Sequence, residues 1–159
     1  MPGIGRAATL SGPEGEVFSI FSPSGEEMSD VNGGKNGQIC WNEMMVDDIK
    51  QSVDFYGKVL PWHVAPGPMG IMKDYYVSKQ NPSDESMIAG LMPKPAESKD
   101  IPTSWMIYFY TDNLEASGKK VVELGGKILM DRVEIPGDMG YFTLFTDPTG
   151  AYAYLTDMK

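Results

Sequence analysis

In the first third of the chain a glutamate stands among large apolar side chains, in Trp41-Asn42-Glu43-Met44-Met45. In an extended strand alternate residues share a face, which groups Trp41, Glu43 and Met45. The same alternation groups Trp105, Ile107 and Phe109, and sets Tyr152 beside Tyr154. Aromatic rings stack on flat molecules and attract cations, each contact contributing about 0.5–2 kcal/mol. A carboxylate among them must meet water, a hydrogen-bond donor or a positive charge. These eight residues suit non-covalent capture of a small hydrophobic or cationic organic molecule, and they form the expected ligand-binding set. As a general base Glu43 would need a raised pKa and a substrate within reach. The chain has one histidine, His63, whereas a metal ion needs several converging donors. Cys40 is expected on the face opposite Trp41, packed under a helix, with no base to activate it. Gly67-Pro68-Met69-Gly70 lacks the Lys-Ser or Lys-Thr pair of a phosphate loop. No catalytic residue, metal ligand or cofactor is assigned, and the balance leans towards a binder rather than an enzyme.

The elements that must hold these residues come in two similar sets. Trp41, Asp48 and Leu60 recur as Trp105, Asp112 and Leu124, 64 positions on, and a repeat of this length marks duplicated units. In the first half a strand is expected over 39–46. A helix capped by Asp47 or Asp48 follows, with Ile49, Val53, Tyr56 and Leu60 at helical spacing, and Pro61 ends it. Three short strands follow at 62–65, 71–78 and 86–92, separated by Gly, Pro and Asn-rich turns. A Pro-rich connector over 93–103 leads to a second half: a strand at 104–111, a helix at 113–124 stopped by Gly125-Gly126, and strands at 127–134, 140–146 and 151–156. Ahead of both halves, Gly5–Leu10 and Glu16–Phe21 flank a Gly-Pro-Glu-Gly turn and read as a hairpin, followed by a linker over 22–38.

Length and composition set outer limits. The 159 residues, 42% of them hydrophobic, suffice for a domain with a real core. A net charge of −9 speaks against nucleic acid, whose phosphates need clustered Lys and Arg. No apolar run approaches the roughly 18 residues of a membrane span, and the start of the chain lacks a signal-peptide pattern. The single cysteine suits a cytoplasmic location.

Taken together, the order strand–helix–three strands, twice, and the stretches Asp48–Trp62, Ser104–Asn113, Leu114–Ile128 and Asp147–Leu155 resemble the glyoxalase, bleomycin-resistance and extradiol-dioxygenase superfamily, also called vicinal oxygen chelate proteins. Trp41-Asn42-Glu43 and Ile88-Ala89-Gly90-Leu91-Met92 are similar to segments of its tandem-module, glyoxalase-like members. The resemblance implies an α+β fold in which paired βαβββ modules form a half-barrel, with an extra N-terminal β-hairpin. The glyoxalase-like domain would span 38–159, with halves 38–93 and 104–157. Residues 1–37 would be the remnant of an upstream module, because Gly5, Pro13 and Gly15 match Gly140, Pro148 and Gly150 at one offset of 135. The resemblance also implies a homodimer. Its metal-ligand positions would fall on Trp41, Trp105, Ala89 or Gly90, and Tyr154, none a usual ligand. The expectation is therefore a metal-free, small-molecule-binding member. The alternatives are a lyase, isomerase or dioxygenase-related enzyme with an atypical metal site, and a non-catalytic interaction module whose cavity is filled.

Overall fold

The computed structural model describes residues 3–25, 34–67, 75–83 and 87–158. The first half contains strand β3 (Ile39–Val46), helix α1 (Ile49–Val59), and strands β4 (His63–Pro66), β5 (Tyr76–Lys79) and β6 (Ala89–Pro93), after an N-terminal hairpin of β1 (Gly5–Ser11) and β2 (Val17–Pro23). The second half contains β7 (Trp105–Tyr110), α2 (Leu114–Glu123), β8 (Lys127–Glu134), β9 (Tyr141–Thr146) and β10 (Tyr152–Thr156). The parts of the expected turn and strands at 68–74 and 84–86, and of the linker at 26–33, lie outside the described residues.

The eight strands of the two halves form one sheet, ordered β4-β5-β6-β3-β7-β10-β9-β8. Each half has the same internal arrangement. Its first strand lies parallel to its last, β3 beside β6 and β7 beside β10, and the rest pair antiparallel. A parallel neighbour requires a crossover, which here includes the helix of each half. The halves join where β3 and β7 pair antiparallel, with Asn42 opposite Ile107 and Glu43 opposite Met106.

Local sequence explains the helix ends. The Asp48 carboxylate accepts the Gln51 N–H at 3.1 Å and caps α1. The Asn113 side chain does the same for Ala116 at the start of α2. Past α2, Gly125 adopts φ +90°, and the Gly125 and Gly126 N–H groups donate to Val122 and Val121 carbonyls, the left-handed glycine stop. These caps also correct the repeat. Asp48 and Asn113 are 65 positions apart, whereas the capping residues Leu60 and Leu124 are 64 apart, because α2 is one residue shorter than α1. The strands before the helices therefore correspond at 65, and the central pair Asn42 and Ile107 has that separation. A slip of one residue exchanges the two faces of a strand.

Two clusters form the core, one on each face of the sheet. On one face Met44, Val46 and Leu91 pack with Tyr56 and other α1 residues. On the other, Met45, Met106, Tyr108, Leu144 and Tyr154 pack with no helix residue among them. The hairpin joins the α1 side through its turn. The Glu14 carboxylate accepts the Asp47 and Asp48 N–H groups at 2.9 and 2.7 Å and the Thr103 hydroxyl at 2.7 Å. Buried Glu16 accepts the Tyr56 hydroxyl at 2.7 Å, and Phe18 packs against the rings of Phe55 and Tyr56.

Candidate functional site

The helix-free face carries the polar group that the sequence singled out. Glu43 lies near the midpoint of β3, one of the two central strands, and is only 8% exposed. The Tyr108 hydroxyl, from the neighbouring β7, donates to its Oε1 at 2.9 Å. The Tyr75 hydroxyl, from just before β5, donates to its Oε2 at 3.2 Å. Burial raises the Glu43 pKa above the ordinary 4.5, and the Tyr108, Trp41 and Tyr75 donors hold it back. Burial also pushes the phenols of Tyr75, Tyr108 and Tyr154 upward, and the neighbouring Glu43 charge adds to this, so they remain neutral donors. Gly90 is the residue that admits Tyr75. A Cβ there would collide with the Tyr75 hydroxyl and come within 3.1 Å of Glu43 Oε2.

Around this carboxyl group the rings are ordered. Tyr108 and Tyr154 stack at 4.1 Å between centroids with planes 10° apart, and Phe142 meets both edge-on. Met45 lies beneath, its Sδ 4.0 Å from the Tyr154 hydroxyl. Trp41, Phe142 and Tyr152 are half-buried at the margin of the cluster. The cluster is closely packed. Two cavities among the described residues, of about 90 Å³ beside Asp138 and Tyr141 and about 440 Å³ between α2 and β8, include no residue of it.

Of the eight expected site residues, the structure gathers Trp41, Glu43, Met45, Tyr152 and Tyr154 on this face. It does not bring Trp105 there. Trp105 packs on the α1 side, its indole N–H donating to the Tyr56 hydroxyl at 3.1 Å and its ring meeting Tyr56 and Trp62 edge-on. Ile107 and Phe109 alternate with the inward Met106 and Tyr108 and belong to neither cluster. The expectation of one cavity flanked by both tryptophans thus fails, and its cause is the 64-residue offset. At 65, Trp41 corresponds to Met106 and Glu43 to Tyr108. Cys40 also departs from expectation. A bulge in the pairing between Ile39 and Trp41 leaves it on the helix-free side with Trp41, its thiol 3.5 Å from the Tyr108 carbonyl. Tyr108, Met106, Phe142 and Tyr75 were missed. The helix caps carried the signal for the first two, because aligning Asp48 with Asn113 places Tyr108 on the face of Glu43.

An eight-stranded sheet of two βαβββ halves, with a polar and aromatic cluster on its helix-free face, defines a class of paired-module proteins. The model of the glyoxalase/bleomycin resistance protein/dioxygenase superfamily matches residues 38–153, and the chain belongs to this family. Among curated relatives, "Putative glyoxylase CFP32" of Mycobacterium tuberculosis is 24% identical over 147 residues, covering 92% of this chain and 54% of that protein. The "Anthracycline biosynthesis protein DauV" of a Streptomyces species is 27% identical over 158 residues, covering 99% of this chain and 54% of its own. The chain thus spans about half the length of these relatives. Among solved structures, a Mn(II)-bound glyoxalase from Novosphingobium aromaticivorans matches with TM-score 0.58 at 15% identity, over 100% of this chain and 52% of that one. A catechol 2,3-dioxygenase matches with TM-score 0.53 at 15% identity, over 94% and 54%. These likenesses establish the fold.

A divalent metal is the group such a fold can imply, and the described residues do not fit one. Among the described residues no three His, Cys, Asp or Glu side chains converge. Both oxygens of Glu43 are engaged by phenols, and Trp41, Gly90 and Tyr154 around it offer no carboxylate or imidazole. His63 is on β4, at one end of the sheet, and is exposed.

Proposed function

We propose that the chain binds a small hydrophobic or cationic organic molecule on the helix-free face, against the half-buried rings of Trp41, Phe142 and Tyr152, with Glu43 beneath. One observation carries the reading: a buried carboxyl group whose described partners are all neutral donors, under a margin of partly exposed rings. A cation reaching Glu43 replaces a phenol donor with a charge-assisted contact, and ring contacts of about 0.5–2 kcal/mol each add affinity. Trp105, Ile107 and Phe109, first grouped with these residues, have no part in it. No catalytic step, metal or cofactor is invoked.

The test is a titration with a panel of hydrophobic cationic dyes, followed by tryptophan fluorescence. Saturable quenching is expected to vanish in Trp41→Phe and to persist in Trp105→Phe, because the two indoles lie on opposite faces. Glu43→Gln is expected to weaken binding about tenfold. Quenching that tracks Trp105, or no saturable quenching with any dye, overturns the reading. Close packing of the Tyr108–Tyr154 stack favours a second reading, a filled, non-catalytic interaction module. It predicts the second of those overturning outcomes.

A further inference from the structure

The cavity of about 440 Å³ between α2 and β8 lies on the helix side of the sheet, on the opposite face from Glu43, and falls within the range of about 300–1,000 Å³ common for small-molecule sites. Leu114, Val122 and Ile128 form its apolar wall, with Gly118 between the two helix residues. Leu114 is buried and Val122 is 56% exposed, and neither joins one of the two core clusters. Gly118 accounts for part of the space. It sits in the middle of α2, where glycine is a poor helix former, and its backbone is not left-handed. A Cβ there would meet nothing within 4 Å, so packing does not demand a glycine. The residue at the same distance past the α1 cap is Val53, which packs on the core. In α2 that volume is left open.

β8 adds charge to the cavity. Phe142 and Leu144 of β9 point to the helix-free cluster, so Tyr141 and Thr143, which alternate with them, point to the α2 side. A regular strand would send the successive Asp131 and Arg132 to opposite faces. The pairing of β8 with β9 shifts register between Met130 and Val133, and Arg132 adopts a left-handed φ of +48°, so both side chains reach the α2 side. The Thr143 hydroxyl donates to Asp131 Oδ1 at 3.4 Å, and the Arg132 guanidinium lies 4.4 Å from the centre of the Tyr141 ring. Both residues line the cavity. Two further charges there cancel, because Lys119 pairs with Glu115 at 2.6 Å. That pair holds the Glu115 carboxyl below its ordinary value, and the Arg132 charge adds to the effect, which sets Arg132 towards the first turn of α2. Asp131 and Arg132 form an ion pair neither with each other nor, among the described residues, with any other side chain.

The geometry points to a site for a small apolar zwitterion of the α-amino acid type between α2 and β8. Its carboxylate meets the planar fork of Arg132, its ammonium meets Asp131, and its side chain lies over Gly118 against Leu114, Val122 and Ile128. A ligand with one charge satisfies only one of two successive opposite charges, whereas a zwitterion satisfies both. This site is separate from the binding proposed beside Trp41 and does not depend on it.

The probe is 4-fluoro-L-phenylalanine, followed by fluorine NMR with the full chain. Saturable binding is expected, with shifts of the Gly118 and Val122 backbone N–H signals. The carboxamide of the probe lacks the carboxylate and its N-acetyl derivative lacks the ammonium. Each is expected to bind about fivefold more weakly, the scale of an exposed charge contact. Arg132→Gln is expected to weaken binding of the amino acid but not of the carboxamide, and Asp131→Asn that of the amino acid but not of the N-acetyl derivative. A merely structural role would not produce this coupling. Gly118→Leu fills the cavity without touching either charge and is expected to abolish binding. Absence of saturable binding, full binding by Gly118→Leu, or equal affinity for the three compounds overturns the proposal. So do concentration-dependent shifts of Gly118 and Val122 in the chain alone, which would make a second copy the occupant. If Gly118→Leu fails to fold, the affinities of the three compounds decide.

Discussion

Glu43 shows how one residue can be found from sequence while its partners are not. Its place among apolar neighbours marks it, but Tyr75 reaches it from 32 positions away and Tyr108 from 65, and only the folded sheet brings them together. Its titration has a consequence for stability. Burial raises the Glu43 pKa in the folded protein, so the folded state holds its proton more tightly than the unfolded state. That contribution is fully present below the ordinary 4.5 and is lost as pH rises through the raised folded value. Relative to Glu43→Gln, the unaltered protein is therefore expected to lose stability across this window, at up to about 1.4 kcal/mol per pH unit. Denaturant midpoints of both proteins between pH 4 and 8 check the sign. A difference that grows in the opposite direction would mean that the three donors outweigh burial.

At the scale of elements, most of the architecture was legible. Asp48, Pro61, Asn113 and Gly125 act through local chemistry, and the strands they separate appear close to their expected bounds. What the identities at an offset of 64 concealed was the change of offset inside a helix, which only the caps Asp48 and Asn113 mark. Identity at Trp41 and Trp105 is a coincidence of type, and one residue less in α2 preserves the match at Leu60 and Leu124 while reversing it in the strands. The role of Trp105 is accordingly structural, as one end of a chain running from its indole through Tyr56 to Glu16 of the hairpin. Tyr56→Phe keeps the ring contacts but leaves the buried Glu16 and the Trp105 N–H each short of a partner. A loss of about 1–3 kcal/mol in unfolding free energy is expected, with faster hydrogen exchange in β1 and β2. Unchanged hairpin exchange would show that the Glu14 contacts to the α1 N-terminus suffice alone.

Across the whole molecule, the β3–β7 pairing turns two modules into one sheet. Met106, opposite Glu43 on this seam and 1% exposed, packs in a cluster drawn from both halves. Met106→Ala is expected to cost about 2–5 kcal/mol and to leave a single unfolding transition, because neither half keeps an intact core alone. Two resolved calorimetric transitions would show instead that the halves are separable. Duplication with divergence at this seam also explains why the fold was easier to read than the site. Module repetition is written along the chain, whereas the cluster is formed from positions where the modules differ.

The Tyr108–Tyr154 stack has one more consequence, an optical one. Two phenol rings nearly parallel at 4.1 Å couple their electronic transitions, and the Glu43 charge lies against one of them. The pair is a built-in chromophore whose near-ultraviolet circular dichroism reports, without any label, whether β7 and β10 of the second half are packed side by side.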